Sequence, residues 1–139
     1  MKRALGVSVA TIALAIAGCG GNDDDSTGPA EPEAAASPSE AIAEIAEVRD
    51  GLDEGLAKYR RGDAEEAEEV VGTAYLEHFE LVEPPLEERD EELNEELEVL
   101  ISTTIRDAIK AGESDKQVTG LVQEAKKGLA KAESELERG

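Results

Sequence analysis

AYLEHFELVEPPLEERD, residues 74–90, is the stretch around which the rest of the chain is organised. It contains the only histidine, a Pro-Pro pair and a run of carboxylates. Upstream of its centre, apolar residues recur at steps of three and four, which indicates one face of an amphipathic helix. The predicted buried stripe consists of Ala67, Val70, Val71, Ala74, Tyr75, His78 and Val82. The stretch is therefore predicted to form a corner between two helices.

The chain after this corner has the same period. Its predicted stripe consists of Leu86, Leu93, Leu97, Leu100, Ile101, Thr104 and Ala108. Because proline lacks an amide and restricts the residue before it, Pro84 and Pro85 predict that the upstream helix ends near Val82. The downstream helix is predicted to begin near Leu86, or at Asp90 if Asp90 is its N-cap.

Two further amphipathic helices flank this pair. The first is predicted to open at the capping box Ser37–Glu40 and to end at Arg60–Gly62. Asp63 is predicted to cap the second helix, Gly112 to end the third, and Ser114–Gln117 to cap the fourth. The stripe of the first helix is Ile42, Ile45, Val48, Leu52, Leu56 and Tyr59. That of the fourth is Val118, Leu121, Val122, Ala125, Leu129, Ala132 and Leu136.

Four helices with short links and no strand signal predict an all-α fold, an up-down-up-down four-helix bundle over residues 38–139. Gly51 and Gly55 each cost the first helix about 1 kcal/mol against Ala, which indicates either a close helix contact or a weak point. Arg49 and Asp90 are predicted near the apolar faces of their helices, where they indicate a salt bridge at the bundle end.

Met1–Cys19, MKRALGVSVATIALAIAGC, precedes this domain. Two basic residues are followed by fourteen uncharged, largely apolar ones, a length typical of a secretory signal and short for a membrane-spanning helix. Ile16–Cys19 resembles the lipobox of bacterial lipoproteins, in which the cysteine is lipidated and the signal is cut before it. This predicts a signal peptide over 1–18, lipidation of Cys19, a disordered linker over 19–37, and an extracytoplasmic location at the cell membrane.

The chain is strongly acidic. Its formal net charge is −20, and residues 63–98 hold 16 acids and one base. Such a charge argues against nucleic acid and against a bare anionic membrane surface as partners. Four interpretations stay open: a cation-binding role, a basic protein partner, adaptation to high salt, and a merely solvated surface.

The motifs of common enzymes and bundle cofactors are missing from the sequence. A ferritin-like di-iron site needs two Glu-x-x-His motifs, but Tyr75 stands three residues before His78. There is no Cys-x-x-Cys-His haem motif, no Gly-rich phosphate loop, and no serine or cysteine nucleophile constellation. The sequence therefore predicts a protein that is not an enzyme.

Carboxylates are the remaining candidate ligands. Glu80 and Glu83 stand one helical turn apart and could share a hard cation such as Fe³⁺, Ca²⁺ or Mn²⁺. Glu98 would join them if it lies opposite, with His78 or Asp90 as a weaker extra ligand. The same acids are also typical of a solvated face, and His78 of a hydrogen-bonded core histidine.

Residues 58–136 resemble the extracytoplasmic helical domain that precedes the membrane part of many bacterial high-affinity iron permeases. They are similar, more distantly, to helical parts of imelysin-like iron-uptake lipoproteins. The matching pieces are Lys58–Ala64 (KYRRGDA), Ala74–Leu86 (AYLEHFELVEPPL), Leu97–Gly112 (LEVLISTTIRDAIKAG) and a final Val-x-x-Leu-Val helix. The positions that match recurrent residues of that domain are Tyr75, Phe79, Glu80, Glu83, Glu98 and Arg106.

The resemblance implies an accessory role in the uptake of iron or another cation, by binding the ion or by docking on a permease. The permease's membrane helices and their Arg-Glu-x-x-Glu motifs are missing here, so ion translocation is not implied. The resemblance adds support for Glu80, Glu83 and Glu98 as ligands, with Tyr75, Phe79 and Arg106 as structural support. The alternative is a non-metal structural or protein-interaction lipoprotein whose acids keep the bundle in solution.

Overall fold

The computed structural model describes residues 36–138, which form four helices joined by short turns. The helices are α1 (Pro38–Arg60), α2 (64–87), α3 (91–110) and α4 (Asp115–Glu137). Within this part of the chain 87% of the residues are helical, and none forms a strand. The predicted all-α fold with four helices is confirmed.

The predicted signal peptide, the lipidated Cys19 and the linker up to residue 35 lie outside the described residues. Among the helices of residues 36–138, none combines the length and the apolar character needed to cross a membrane.

Local sequence signals set several of the helix ends. The Glu40 amide donates to Ser37 Oγ at 3.4 Å, and the Ser37 amide donates to Glu40 Oε2 at 2.8 Å, which is the predicted capping box of α1. The Leu93 amide donates to Asp90 Oδ1 at 3.1 Å. Of the two predicted starts for α3, the one capped by Asp90 is therefore correct.

The predicted cap at Asp63 is wrong in its chemistry. Asp63 stands at the N-cap of α2, but its side chain accepts no hydrogen bond from the helix. Its backbone (φ −92°, ψ 63°) departs from the extended conformation usual for a capping residue. Its carboxylate instead lies 3.8 Å from Arg61 Nε, so it forms an ion pair within the turn.

The prediction that Pro84 and Pro85 end α2 near Val82 is also wrong. The helix continues through both prolines to Glu87. Each proline removes one helical hydrogen bond, but both stand in the last two turns, where few bonds remain to be broken. Pro85 and Leu86 are buried, and we attribute the extra turn to this apolar contact with the core.

A π-helical turn divides α2 and displaces its buried face. The helix consists of Ala64–Thr73, the π-helical segment Ala74–Phe79, and Glu80–Glu87. Because a π turn holds more residues than an α turn, the buried positions step by five from Ala74 to Phe79. Phe79 is fully buried although it was absent from the predicted stripe. The predicted stripe residues that are only partly buried are Val70, Tyr75 and His78.

The helix α3 has the same construction, Glu91–Val99, the π-helical segment Leu100–Thr104, and Ile105–Lys110. Its buried aliphatic residues recur at every fourth position: Leu93, Leu97, Ile101, Ile105 and Ile109. In a straight α-helix each step of four would turn the buried face by about 40°. The wider π turn offsets this drift. The predicted stripe members Thr104 and Ala108 are therefore only partly buried, and Ile105 and Ile109 take the core positions.

Gly51 and Gly55 mark the close approach of α1 to α2. A Cβ atom on Gly51 would lie 2.6 Å from Ala74 Cβ, and one on Gly55 would lie 2.6 Å from Val71 Cγ2. Both distances are below van der Waals contact, so a larger residue at either position would force the helices apart. Of the two interpretations of these glycines, the close helix contact is correct.

The bundle-end salt bridge expected from Arg49 and Asp90 does not join these two residues. Arg49 Nη2 lies 2.7 Å from Glu133 Oε2, and Asp90 Oδ2 lies 3.1 Å from Lys131 Nζ. Both partners belong to α4. The stripe predicted for α4 lies in the common core, with Leu121 at its edge.

Candidate functional site

A hydrogen bond between Tyr75 and Glu83 lies at the centre of the candidate site. The Tyr75 hydroxyl donates to Glu83 Oε1 at 3.2 Å, and both side chains are partly buried. The fully buried Phe79 stacks on Tyr75, with ring centroids 6.0 Å apart and ring planes at 29°. The core therefore fixes Phe79, Phe79 fixes the tyrosine ring, and the tyrosine hydroxyl orients the Glu83 carboxylate.

Glu83 is surrounded by negative charge. Partial burial raises the pKa of Glu83; the Tyr75 hydrogen bond opposes this rise, and the charges of Glu98, Glu80 and Glu87 add to it. We call Glu80, Glu83, Glu87 and Glu98 the Glu83 cluster. None of the four forms an ion pair with a base of residues 36–138.

Glu87 is the cluster member that sequence reasoning missed. The Glu83-x-x-x-Glu87 spacing places both carboxylates on one helical face. The signal was present, but the assumption that the prolines end α2 removed Glu87 from the helix. The correction of that helix end therefore adds a carboxylate to the candidate site.

Tyr75 remains a hydrogen-bond donor at neutral pH. Burial, followed by the charge of Glu83 and the hydrogen bond to it, raises the pKa of Tyr75 to about 12. Its hydroxyl therefore stays protonated and donates to the Glu83 carboxylate. The charges of Glu98 and Glu80 also raise the pKa of Tyr75, but less than burial and Glu83 do.

Arg106 lies apart from the Glu83 cluster and pairs with another carboxylate. Its Nε donates to Glu68 Oε1 at 2.7 Å, and its Nη1 donates to the Ser102 carbonyl at 3.2 Å. Lys110 Nζ lies 3.1 Å from the same Glu68 oxygen. The hydrogen bonds from Lys110 and Arg106 lower the pKa of Glu68, the reverse of the shift at Glu83.

His78 and Asp90, the two weaker candidate ligands, have other partners. His78 Nδ1 lies 2.7 Å from Glu44 Oε2 of α1, and both side chains are partly exposed. His78 is thus hydrogen-bonded, but at the edge of the bundle rather than in its core. Asp90 accepts from the Leu93 amide and pairs with Lys131, and these two bonds lower the pKa of Asp90.

Asn94 is a buried polar residue that was not predicted from the sequence as a site residue. It is 6% exposed, and its Oδ1 is buried without a hydrogen-bond partner in the described structure. A buried amide oxygen of this kind is costly unless a water, a proton donor or a cation meets it. The sequence signal is the spacing, since Asp90, Asn94 and Glu98 recur at every fourth position and share one side of α3.

Metal-ligand geometry is not preformed at the cluster. Within residues 36–138, no three His, Cys, Asp or Glu side chains are arranged so that they could hold a metal ion. The Glu83 cluster is therefore an electrostatic grouping of carboxylates. Binding of an ion would require these carboxylates to move towards one another. Glutamate side chains at a surface change rotamer readily, which permits this movement.

Comparison with known proteins finds no matching family model, no matching curated protein and no matching solved structure.

Proposed function

We propose that this chain is a lipid-anchored, non-enzymatic protein on the extracytoplasmic face of the cell membrane, where it serves the uptake of iron or another hard cation. It would bind the ion at the Glu83 cluster or dock on a permease. The lipobox-like Ile16–Cys19 supports the anchor. The observation that carries the cation role is the Glu83 cluster itself, where partial burial and the charges of three other carboxylates raise the pKa of Glu83.

Electrostatics explains why a cation suits this place. Carboxylates held close together without a counter-ion repel one another, and a bound cation would remove that cost. Oxygen ligands are those that hard cations such as Fe³⁺, Ca²⁺ and Mn²⁺ prefer. Glu80, Glu83 and Glu98 are the proposed ligands. Glu87 replaces His78 and Asp90 as the additional ligand, because the His78 ring is bonded to Glu44 and the Asp90 carboxylate to Lys131.

An up-down-up-down order of the four helices is the proposed frame for this site. Arg60, the last residue of α1, lies 2.8 Å from Asp115, the first residue of α4. Towards the other end, Arg49 lies 2.7 Å from Glu133. These contacts support opposite directions for α1 and α4, and the short turns between consecutive helices favour the same relation for the other neighbours.

A thermal melt of the full-length chain in non-ionic detergent with citrate-buffered Fe³⁺, Mn²⁺, Ca²⁺ or Mg²⁺ tests the cation role. A ligand that binds only the folded state at about 100 times its Kd adds about 2.7 kcal/mol. For a domain of this size each kcal/mol corresponds to a rise of about 4–8 °C in Tm. We expect one cation to give a saturable rise of this order, which the Glu80→Gln/Glu83→Gln double variant loses.

The matched control is the Asp107→Asn/Glu137→Gln double variant. Both residues are exposed and lie outside the cluster, and the variant removes the same formal charge. It should retain the saturable rise. A small, unsaturable rise that is common to all cations and equal in both variants would mean general charge screening, and the proposed cation role would be wrong.

One observation favours the second candidate function, a non-metal structural or protein-interaction lipoprotein. Three large aliphatic side chains are exposed on α2 and α3: Leu76 at 58%, Leu81 at 45% and Val99 at 57%. A partner protein that covered these side chains would gain the free energy of removing apolar surface from water. The two functions separate in the melt, because an interaction protein needs no saturable response to a cation.

A further inference from the structure

A groove between α3 and α4 combines an apolar floor with an acidic rim. Its volume is about 640 Å³, and it is open to solvent along one side. The apolar side chains that line it are Leu93, Leu97, Val99 and Leu100. On α3 it extends from Glu92 to Thr104, which corresponds to a length of about 18 Å or three helical turns.

The close contact of α4 with α3 shapes this groove. Gly128 stands opposite Leu97, and a Cβ atom at position 128 would lie 2.6 Å from Leu97 Cδ2. The Leu97 side chain therefore packs directly against the bare backbone of α4 and fills the space next to Gly128. Val99 remains 57% exposed at the edge of this space, although it is an aliphatic residue in a helix. Leu93 and Leu97 are 3% and 2% exposed, so the apolar surface that the chain leaves uncovered in the groove comes from Val99 and the partly buried Leu100.

The charged residues that line the groove are all acidic. Its charged lining residues are Glu92, Glu95, Glu96 and Glu124, and none of them forms an ion pair with another of the described residues. Glu96 acts on the nearby Lys131, but the ammonium group of Lys131 is bonded to Asp90. The acidic rim is therefore available to bases from outside the chain.

We propose that this groove docks an amphipathic helix of a partner protein, about three turns long, with aliphatic residues on one face and Lys or Arg beside them. Aliphatic residues at helical spacing would cover the floor, and the basic residues would meet the four glutamates. This extends the protein-interaction role and does not depend on the cation site.

Other occupants meet unfavourable charge. A second copy of this chain would bring its own net charge of −20 to an acidic rim. Residues 20–37 contain five acids and no base, so this segment of the chain is repelled as well. Nucleic acid and anionic lipid carry the same sign as the rim. A basic amphipathic helix is the occupant that satisfies both the apolar floor and the acidic rim.

The probe is a fluorescently labelled helical peptide of about 14 residues, with leucines at three- and four-residue steps and lysines beside them. Its anisotropy is measured with the full-length chain in non-ionic detergent at physiological salt and with a metal chelator. We expect saturable binding at one peptide per chain. Val99→Ser and Glu95→Lys/Glu124→Lys should each weaken the affinity about tenfold or more.

Two controls match these variants. Leu76→Ser removes an equally exposed aliphatic side chain outside the groove, and Glu47→Lys/Glu137→Lys makes the same charge change at exposed positions elsewhere. Both should bind the peptide as the wild type does. Circular dichroism checks that every variant remains folded.

Three outcomes would overturn the proposal. Groove and control variants could lose the same affinity, a Lys/Ser peptide of equal charge could bind as tightly, or the peptide could fail to bind. The Glu80→Gln/Glu83→Gln variant should retain peptide binding, because those residues lie outside the groove. Failure of the cation site and failure of the docking site are therefore distinguishable.

Discussion

At the scale of single residues, Glu68 and Glu83 show how neighbours determine the state of one side-chain type on one helix. Glu68 lies between Lys110 and Arg106, which lower its pKa. Glu83 is partly buried beside three other carboxylates, and its pKa is raised. The first carboxylate is stabilised in its charged form by the fold, and the second is destabilised.

The Glu83→Gln variant should be more stable than the wild type at neutral pH. The folded-state pKa of Glu83 is raised above its ordinary value of 4.5. The contribution of Glu83 to the free energy of unfolding is therefore favourable below pH 4.5, and it is lost as the pH rises through the folded-state pKa. Removing two like-charge contacts within α2 should contribute about 0.5–1 kcal/mol at neutral pH. In urea denaturation the gain should shrink as the pH falls below 4.5, because Glu83 is then increasingly protonated in both the folded and the unfolded state.

The Glu68→Gln variant is the matched control, because its expected effect has the opposite sign. The pKa of Glu68 is lowered, so its contribution is present at neutral pH and is lost as the pH falls through the folded-state value. We expect a loss of about 1 kcal/mol near pH 7 that fades on acidification. Parallel pH profiles for the two variants would contradict the assigned environments.

The residue pairs that the sequence did not reveal are those between helices. The Glu80–Glu83 and Glu83–Glu87 neighbours follow from helical spacing alone. The partners of His78 and Arg106 are Glu44 and Glu68, which lie 34 and 38 positions away in the chain. Many glutamates at similar spacing compete for such a partner, and only the packing of the helices selects one.

At the scale of helices, the predicted number of helices and several of their caps were correct, whereas the registers of α2 and α3 were not. The predicted registers assumed a continuous α-helical period, and this period does not account for the π-helical segments Ala74–Phe79 and Leu100–Thr104. Those segments keep Phe79 and Ile105 in the core. Burial of such side chains, at about 2–3 kcal/mol each, outweighs the poorer hydrogen-bond geometry of a π turn. This balance depends on the neighbouring helix and is not visible in local spacing.

The close contact of α1 with α2 gives a prediction about Gly51. Ala at this position gains about 1 kcal/mol of helix propensity. Its Cβ atom would lie 2.6 Å from Ala74 Cβ, which is attached directly to the backbone and cannot rotate away. Overpacking costs about 1–3 kcal/mol, so Gly51→Ala should lower the free energy of unfolding.

Gly120→Ala is the control in α4, because a Cβ atom there meets nothing within 4 Å. It should raise stability by about 1 kcal/mol through helix propensity alone. Thermal melts should therefore shift in opposite directions for Gly51→Ala and Gly120→Ala. Shifts in the same direction would mean that the helices are not in close contact at Gly51.

At the scale of the whole molecule, composition and periodicity were enough to predict four helices and one shared core. The acids of residues 63–98 outnumber bases 16 to one, and α2 and the first half of α3 carry them. The bases that pair with acids come largely from α1, α4 and the end of α3, as Arg60, Lys126 and Arg106 illustrate. Charge is thus balanced along one part of the bundle and unbalanced along another, and the unbalanced part contains both the Glu83 cluster and the acidic groove.

This charge determines what the proposed membrane anchor must do. The formal charge is −20, and removal of the proposed signal peptide with Lys2 and Arg3 would make it −22, so anionic lipid head groups would repel the protein. Stable association therefore requires the lipid on Cys19, and two or three acyl chains hold a protein where one does not.

We expect wild-type protein to stay with membranes in about 1 M salt, where electrostatic contacts are screened. Cys19→Ser should remain unprocessed by the lipoprotein peptidase and lack lipid, as mass spectrometry and fractionation would show. Release of the wild type by salt alone would contradict the anchor.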